Sequence, residues 1–164
     1  MGKKKDKKDK DKSGSSVKVI CKNRRAFHEY QILDKLECGI VLQGTEVKSL
    51  REGKAVLEDA YAKLDKGEVW LLNSDIQEYS RGSWTNHKPR RPRKLLMHRR
   101  EIHKFAGRAS DKGLTLVPLR LYFKNGMAKV EIGIGRGKQL HDKRETKKKV
   151  EAQREIQREM RRRR

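Results

Sequence analysis

Between residues 17 and 135 apolar positions alternate with polar ones more often than they recur at helical spacing. Val17–Lys22 is β-branched and alternating, which predicts a short strand. Residues 30–42 form a second extended stretch in which Gly39 reads as a bulge or bend. A short helix follows: Thr45 reads as its N-cap, Val47, Leu50 and, past a gap, Ala55 as its apolar side, and Gly53 as its end. Residues 59–73 predict a hairpin turning at Asp65-Lys66-Gly67. Gly82, Pro89 and Pro92 break the pattern over residues 81–93, which read as a long exposed loop. Residues 94–97 predict a strand. Residues 98–109 predict a helix, because Ile102, Phe105, Ala106 and Ala109 fall at i, i+3, i+4 and i+7.

The clearest local signal comes after Gly113. Val117, Leu119, Leu121 and Phe123 alternate along one strand, and Val130, Ile132 and Ile134 along its return. Lys124-Asn125-Gly126 joins them, and Asn-Gly suits the two left-handed positions of a type I′ turn. The count is about six strands and two or three short helices, joined by tight turns. That predicts a mainly β body, a closed or nearly closed antiparallel barrel, in which closure would reduce exposed edges.

Charge changes the picture. The chain has 44 Lys/Arg against 22 Asp/Glu, a net charge of +22. Residues 1–12 hold 7 Lys and 3 Asp, and residues 136–164 hold 13 Lys/Arg, 5 Asp/Glu and no aromatic residue. These segments cannot bury enough apolar surface to offset their ordering entropy. Three parts follow: a disordered leader over 1–16, a barrel over 17–135 and a basic tail over 136–164. A basic body with two basic tails calls for an extended anionic partner, and folded RNA offers several backbone surfaces at once. The tail has latent helical character. Asp142 and Glu145 are spaced as a capping box, and Ala152, Ile156 and Met160 fall at i, i+4 and i+8. Its apolar stripe is narrow, so the helix forms when a partner supplies the missing stabilisation.

The chain has no apolar run near the roughly 18 residues of a membrane span, and no secretory leader, which makes the cytoplasm the default compartment. Cys21 and Cys38 are lone thiols, and His98 and His103 lack zinc-ligand spacing. No catalytic array is apparent; no metal, cofactor or enzymatic activity is expected. Gly133-Ile134-Gly135-Arg136-Gly137 lacks nucleotide-loop spacing and reads as a strand fraying into the tail. Arg90, Arg91, Arg93, Lys94, Arg99, Arg100 and Lys104 crowd a loop and the following helix with only Glu101 opposing them locally. They read as a phosphate-contacting patch rather than a solvated face, a patch that positions RNA without specifying its sequence.

Several strings then coincide. They are Asn23-Arg24-Arg25-Ala26-Phe27-His28-Glu29-Tyr30, Glu37-Cys38-Gly39-Ile40, Gln43-Gly44-Thr45-Glu46-Val47-Lys48-Ser49-Leu50-Arg51, Arg93-Lys94-Leu95-Leu96 and Gly137-Lys138-Gln139-Leu140-His141-Asp142-Lys143-Arg144. Over about residues 17 to 150 the chain resembles the small protein B family, the SsrA-binding proteins of bacterial trans-translation. The resemblance implies an oligonucleotide-binding (OB)-like barrel that binds the tRNA-like domain of transfer-messenger RNA as a monomer and carries it to stalled ribosomes. It implies a tail that turns helical in the vacant mRNA channel, beside the decoding centre and small-subunit rRNA. By that match Asn23, Glu37, Leu96 and Lys129 are RNA-binding positions, joined by Arg24, Arg25, Arg93 and Lys94 of the matching strings. Lys129 brings charge, and Asn23 both donates and accepts. Glu37 orients basic neighbours or accepts from a base or 2′-hydroxyl. Leu96 packs on a base or ribose, or belongs to the barrel core. In the tail, Gly137, Lys138, Asp142, Lys143 and Arg144 match the ribosome-binding motif, with Arg136 adding charge and His141 placed to stack on a base. Gln139 departs from a lysine common in the family. Composition alone fits a ribosomal or other structural rRNA-binding protein as well.

Overall fold

The structure, a computed structural model, describes residues 17–82, 84, 86–109, 113–139, 142, 151–152 and 154–160. The leader over 1–16 therefore lies outside the described residues, as do most of residues 140–150.

In chain order the elements are β1 (Val17–Lys22), α1 (Arg24–Glu29), β2 (Tyr30–Ile40), α2 (Gly44–Arg51), β3 (Ala55–Val56), β4 (Tyr61–Asp65), β5 (Glu68–Leu72), β6 (Asp75–Ile76) and β7 (Arg93–Leu96). Then come α3 (Arg99–Glu101), a π-helical stretch (Ile102–Ala106), α4 (Gly107–Ala109), β8 (Leu114–Lys124) and β9 (Met127–Gly137). The main sheet runs β1-β8-β4-β5-β7-β2-β9, every pair antiparallel, and β9 returns to β8. The six strands from β8 round to β9 thus close a ring, with β1 laid along β8 outside it. Closure satisfies the backbone groups that an open sheet would present to other chains.

The β8–β9 hairpin is as the alternation requires, with Asn125 and Gly126 both in the left-handed region at φ 50° and 80°. The β4–β5 turn repeats the device at Lys66 and Gly67, φ 47° and 78°. The facing of β8 differs from the sequence expectation. Its register with β9 slips between Pro118 and Arg120, a bulge at Leu119. The bulge inverts the strand, so that Leu116 before it and Leu121 and Phe123 after it enter the main core. Val117 and Leu119 instead pack with Ala26 in a second cluster, flanked by Tyr30 and Ile32. The same bend lets one edge of β8 serve two partners: Leu116 pairs with β4, and Arg120–Lys124 pair with β1.

Four other expectations are corrected. Gly39 does not bulge: it is paired on both sides, with Leu96 of β7 and Lys129 of β9, and the slip in β2 lies between Ile32 and Asp34. Thr45 is not the N-cap of α2. Gln43 is, its backbone N–H donating to Glu46 Oε2 at 2.6 Å, while Ala55 lies beyond the helix in β3. Residues 98–109 are helical but interrupted by the π-helical stretch. Finally, the described residues between 81 and 93 are not wholly exposed. His87 is buried, with Nε2–H donating to the Ile76 carbonyl at 3.0 Å and Nδ1 paired with Thr45 Oγ1 at 2.9 Å.

α1 was missed in the sequence. Asn23 caps it, accepting from Ala26 N–H at 2.9 Å while its amide donates to the carbonyls of Leu57 (2.8 Å) and Pro118 (3.1 Å). Six residues with only Ala26 buried leave no periodic signature. The glycine run is strand too. β9 stays paired with β2 through Gly137, and a Cβ on Gly135 would stand 2.9 Å from Tyr30 Cβ. Those glycines admit close approach of β9 to β2 rather than marking a frayed end.

Candidate nucleic-acid interface

One face of the barrel gathers Glu37, Leu96 and Lys129. They come from three strands, yet Gly39 sits between Leu96 and Lys129 in the ladder and Glu37 lies two residues along the same side of β2. Gly39 leaves space that Leu96 fills: a Cβ at 39 would lie 3.1 Å from Leu96 Cβ. Leu96 is 52% exposed and Met127 60% exposed, so Leu96 belongs to the surface and not to the barrel core. It forms a ridge between two concavities. One, of about 370 Å³, is lined by Gly39, Phe123, Met127 and Lys129 among others. The other, of about 630 Å³, is bordered by Lys66, Lys94, Met97, Arg99 and His103. Apolar floor and cationic rim suit a nucleotide, whose base is flat and apolar on its face and whose phosphate is anionic.

Glu37 is held in a fixed network. Its carboxylate accepts from the Tyr122 hydroxyl at 2.5 Å and from Lys124 Nζ at 3.2–3.3 Å. Burial pushes the Glu37 carboxyl up, but hydrogen bonds from Tyr122 and Lys124 and the charges of Lys124 and Lys129 outweigh it and hold the group below the ordinary carboxylate range. Burial and Glu37 raise Tyr122 in turn, so its hydroxyl remains a donor. Arg120 stacks 4.8 Å over the Tyr122 ring and pairs with Glu131. Glu37 is thus a partner to the cations around it and not an isolated negative charge. Tyr122, Lys124 and Met127 were not singled out from the sequence; the apolar Met127 beside the Asn125-Gly126 turn was the available signal.

The loop-and-helix patch is less free than its local sequence suggests. Arg93 is fully buried: its guanidinium donates to Glu46 Oε1 (2.9 Å), to Ser74 (2.7 Å to the carbonyl, 2.9 Å to Oγ) and to the Pro89 carbonyl (2.8 Å). Its donors are spent inside the protein, where they tie β7 to α2. Glu46 is also fully buried and accepts from Arg91 at 2.5 Å. Burial pushes Glu46 up, but Arg91, the Gln43 N–H and Arg93 hold its carboxyl below the ordinary range. Arg90 pairs with Asp75 at 3.1 Å and Lys94 with Glu68. Acids remote in sequence therefore oppose four of the seven cations, while Arg99, Arg100 and Lys104 stay exposed.

A second set lies around α1. Asn23 is buried as its cap, Arg24 is exposed, and Arg25 pairs with Glu29 and Asp59, each at 2.8 Å. The tail departs here. Arg136 and Gly137 are exposed at the end of β9, and Lys138 donates from its backbone to Glu29 O (2.8 Å) and from Nζ to Phe27 O (3.1 Å). Asp142 is itself helical and accepts from Gln139 N–H at 3.2 Å, the back-reaching partner rather than the expected N-cap. His141, Lys143 and Arg144 lie outside the described residues. Residues 151–152 and 154–160 are helical and exposed, Ile156 and Met160 included. Among the described residues no cluster of His, Cys, Asp or Glu is arranged to hold a metal ion, and no helix is long and apolar enough to cross a membrane.

Residues 20–162 match the family model described as SmpB protein. The SsrA-binding protein of Mycolicibacterium vanbaalenii is 57% identical over 157 residues, covering 96% of this chain and 95% of that one. That of Corynebacterium jeikeium is 60% identical over 145 residues, covering 88% and 79%. A chain in the solved structure "tmRNA-SmpB: a journey to the center of the bacterial ribosome" is 48% identical and superposes with a TM-score of 0.63, covering 76% of this chain and 92% of that one.

Proposed function

Because this chain belongs to the small protein B (SmpB) family, we propose that it is an adaptor of trans-translation, which binds the tRNA-like domain of transfer-messenger RNA and brings it to stalled ribosomes. The observation that carries this reading is the juxtaposition of Leu96, Lys129 and the Glu37 network around Gly39 on a closed, rigid barrel. Such a surface recognises RNA by shape, stacking and backbone contact, and needs no catalytic group. The protein works as a cytoplasmic, ribosome-associated binding factor without turnover of its own. Lys129, Lys124 and Arg120 meet phosphates, and Leu96 packs on an unstacked base or ribose. The tail, with Arg136, Gly137, Lys138, His141, Asp142, Lys143 and Arg144 at its root, enters the mRNA channel when no message fills it. There rRNA phosphates neutralise it and its helix is put to use.

A filter-binding titration of the tRNA-like domain against salt tests the first half; log K falls steeply with log salt if several phosphates are neutralised. Deleting residues 139–164 tests the second: RNA binding survives, and tagging of nascent chains on stalled ribosomes is lost. A flat salt response, or tagging that persists without the tail, overturns the proposal.

A further inference from the structure

Trp84 is 96% exposed, the most exposed large apolar side chain among the described residues. Described residues on either side of it are bonded to each other. The side-chain amide of Asn86 closes the loop by two bonds to Tyr79, donating to its carbonyl at 2.9 Å and accepting from its N–H at 3.2 Å. Gly82 N–H donates to the same carbonyl at 2.7 Å. Lys48 of α2 lies 5.4 Å over the Tyr79 ring, and the neighbouring His87 is buried between Thr45 and Ile76. The stem is thus clamped to α2 and β6, and it holds out an indole that the fold itself does not use. Arg81 and Lys88 flank it; both are exposed and neither has an acidic partner among the described residues.

We propose that Trp84 is a stacking platform for one unpaired RNA base, with Arg81 and Lys88 meeting the adjoining phosphates. An exposed aromatic with cations close to it along the chain is an arrangement by which proteins hold single-stranded nucleotides without reading their sequence. The site is separate from the Leu96 face: none of Tyr79, Arg81, Trp84 or Lys88 lines either concavity beside Leu96. The inference rests on the RNA-binding reading above. The base belongs to transfer-messenger RNA or to ribosomal RNA, and two arms of the experiment separate these sources.

Full-length protein, Trp84→Ala and Trp84→Phe are titrated against the isolated tRNA-like domain and against vacant small ribosomal subunits. Stacking gives Trp84→Ala about a tenfold or greater loss in the arm that holds the base, at unchanged salt slope, with Trp84→Phe retaining most affinity. Arg81→Ala lowers the salt slope by about one in the same arm. In a Trp70→Phe background, which leaves Trp84 the only indole, fluorescence is quenched by the same RNA. Trp84 and Arg81 are both exposed, so substitution at either leaves the fold intact. If parent and Trp84→Ala bind both targets equally, the platform is wrong while the adaptor reading stands. If the parent binds neither, both fail. A loss with subunits accompanied by a blue shift instead of quenching assigns Trp84 to a protein pocket and overturns the proposal.

Discussion

The Tyr122 hydroxyl donates to Glu37 Oε2 at 2.5 Å over the top of β9, which lies between their two strands. A side chain on β2 and one on β8 thereby lock the outward face of the intervening strand, where Lys129 stands. Tyr122→Phe should leave the barrel folded, because the ring keeps its packing, but release Glu37 and Lys124. Affinity for the tRNA-like domain is expected to fall about three- to tenfold, the value of one charge-assisted hydrogen bond that positions rather than contacts. Unchanged binding would remove Glu37 from its organising role.

Gly39→Ala probes the same face from beneath. The new methyl meets Leu96 at 3.1 Å, so the ridge must shift by a few tenths of an ångström. Binding should drop more than melting temperature does. Gly135→Ala is the contrast: its Cβ meets Tyr30 at 2.9 Å inside the second cluster, and overpacking there should destabilise by about 1–3 kcal/mol. Gly137→Ala meets nothing within 4 Å and should leave stability unchanged, so any defect it shows is one of function. Denaturant melts beside binding curves distinguish the three.

Glu46→Gln should be the most damaging single substitution. It leaves the buried Arg93 guanidinium without its counter-charge, a loss of about 3 kcal/mol or more. The carboxyl of Glu46 is held below the ordinary range, so its contribution is present above that range and disappears as pH falls through the depressed folded value. Acid denaturation of the parent should include this component, and the variant should lack it.

Burial pushes Cys21 to about 11 and Cys38 to about 12. Thiolate is the reactive form, so at pH 8 a thiol reagent should modify both slowly in the native protein and rapidly once it unfolds. The folded state holds these protons more tightly. Stability from this source is therefore intact below about pH 9, the unfolded thiol value, and is lost as pH rises toward 12. Rapid native labelling would contradict the burial.

Where pattern alone sufficed, it was legible: Asn125-Gly126 and Lys66-Gly67 encode their turns locally, and Val130, Ile132 and Ile134 face the core as alternation requires. What escaped depended on distance along the chain. The bulge at Leu119 is set by closure of the ring, so the alternation from Val117 to Phe123 hides a change of face. The acids opposing Arg90, Arg91, Arg93 and Lys94 lie 15 to 47 residues away or in between, beyond any local window. α1 escaped for the opposite reason: it is too short for periodicity and is held by Asn23, whose amide reaches Leu57 and Pro118. Of the candidate site, motif identity pointed to Glu37, Leu96 and Lys129, while Tyr122 and Lys124 needed the ladder that brings β8 beside β9.

Lys138 is bonded to α1 at two points, and this gives the limb beyond it a fixed hinge post. Arg164 lies 26 residues beyond it. These residues span about 39 Å if wholly helical and about 90 Å if fully extended. The protein is thus a ruler with a zero mark: any surface its terminal arginines touch lies within that radius of α1, whichever way the barrel is turned.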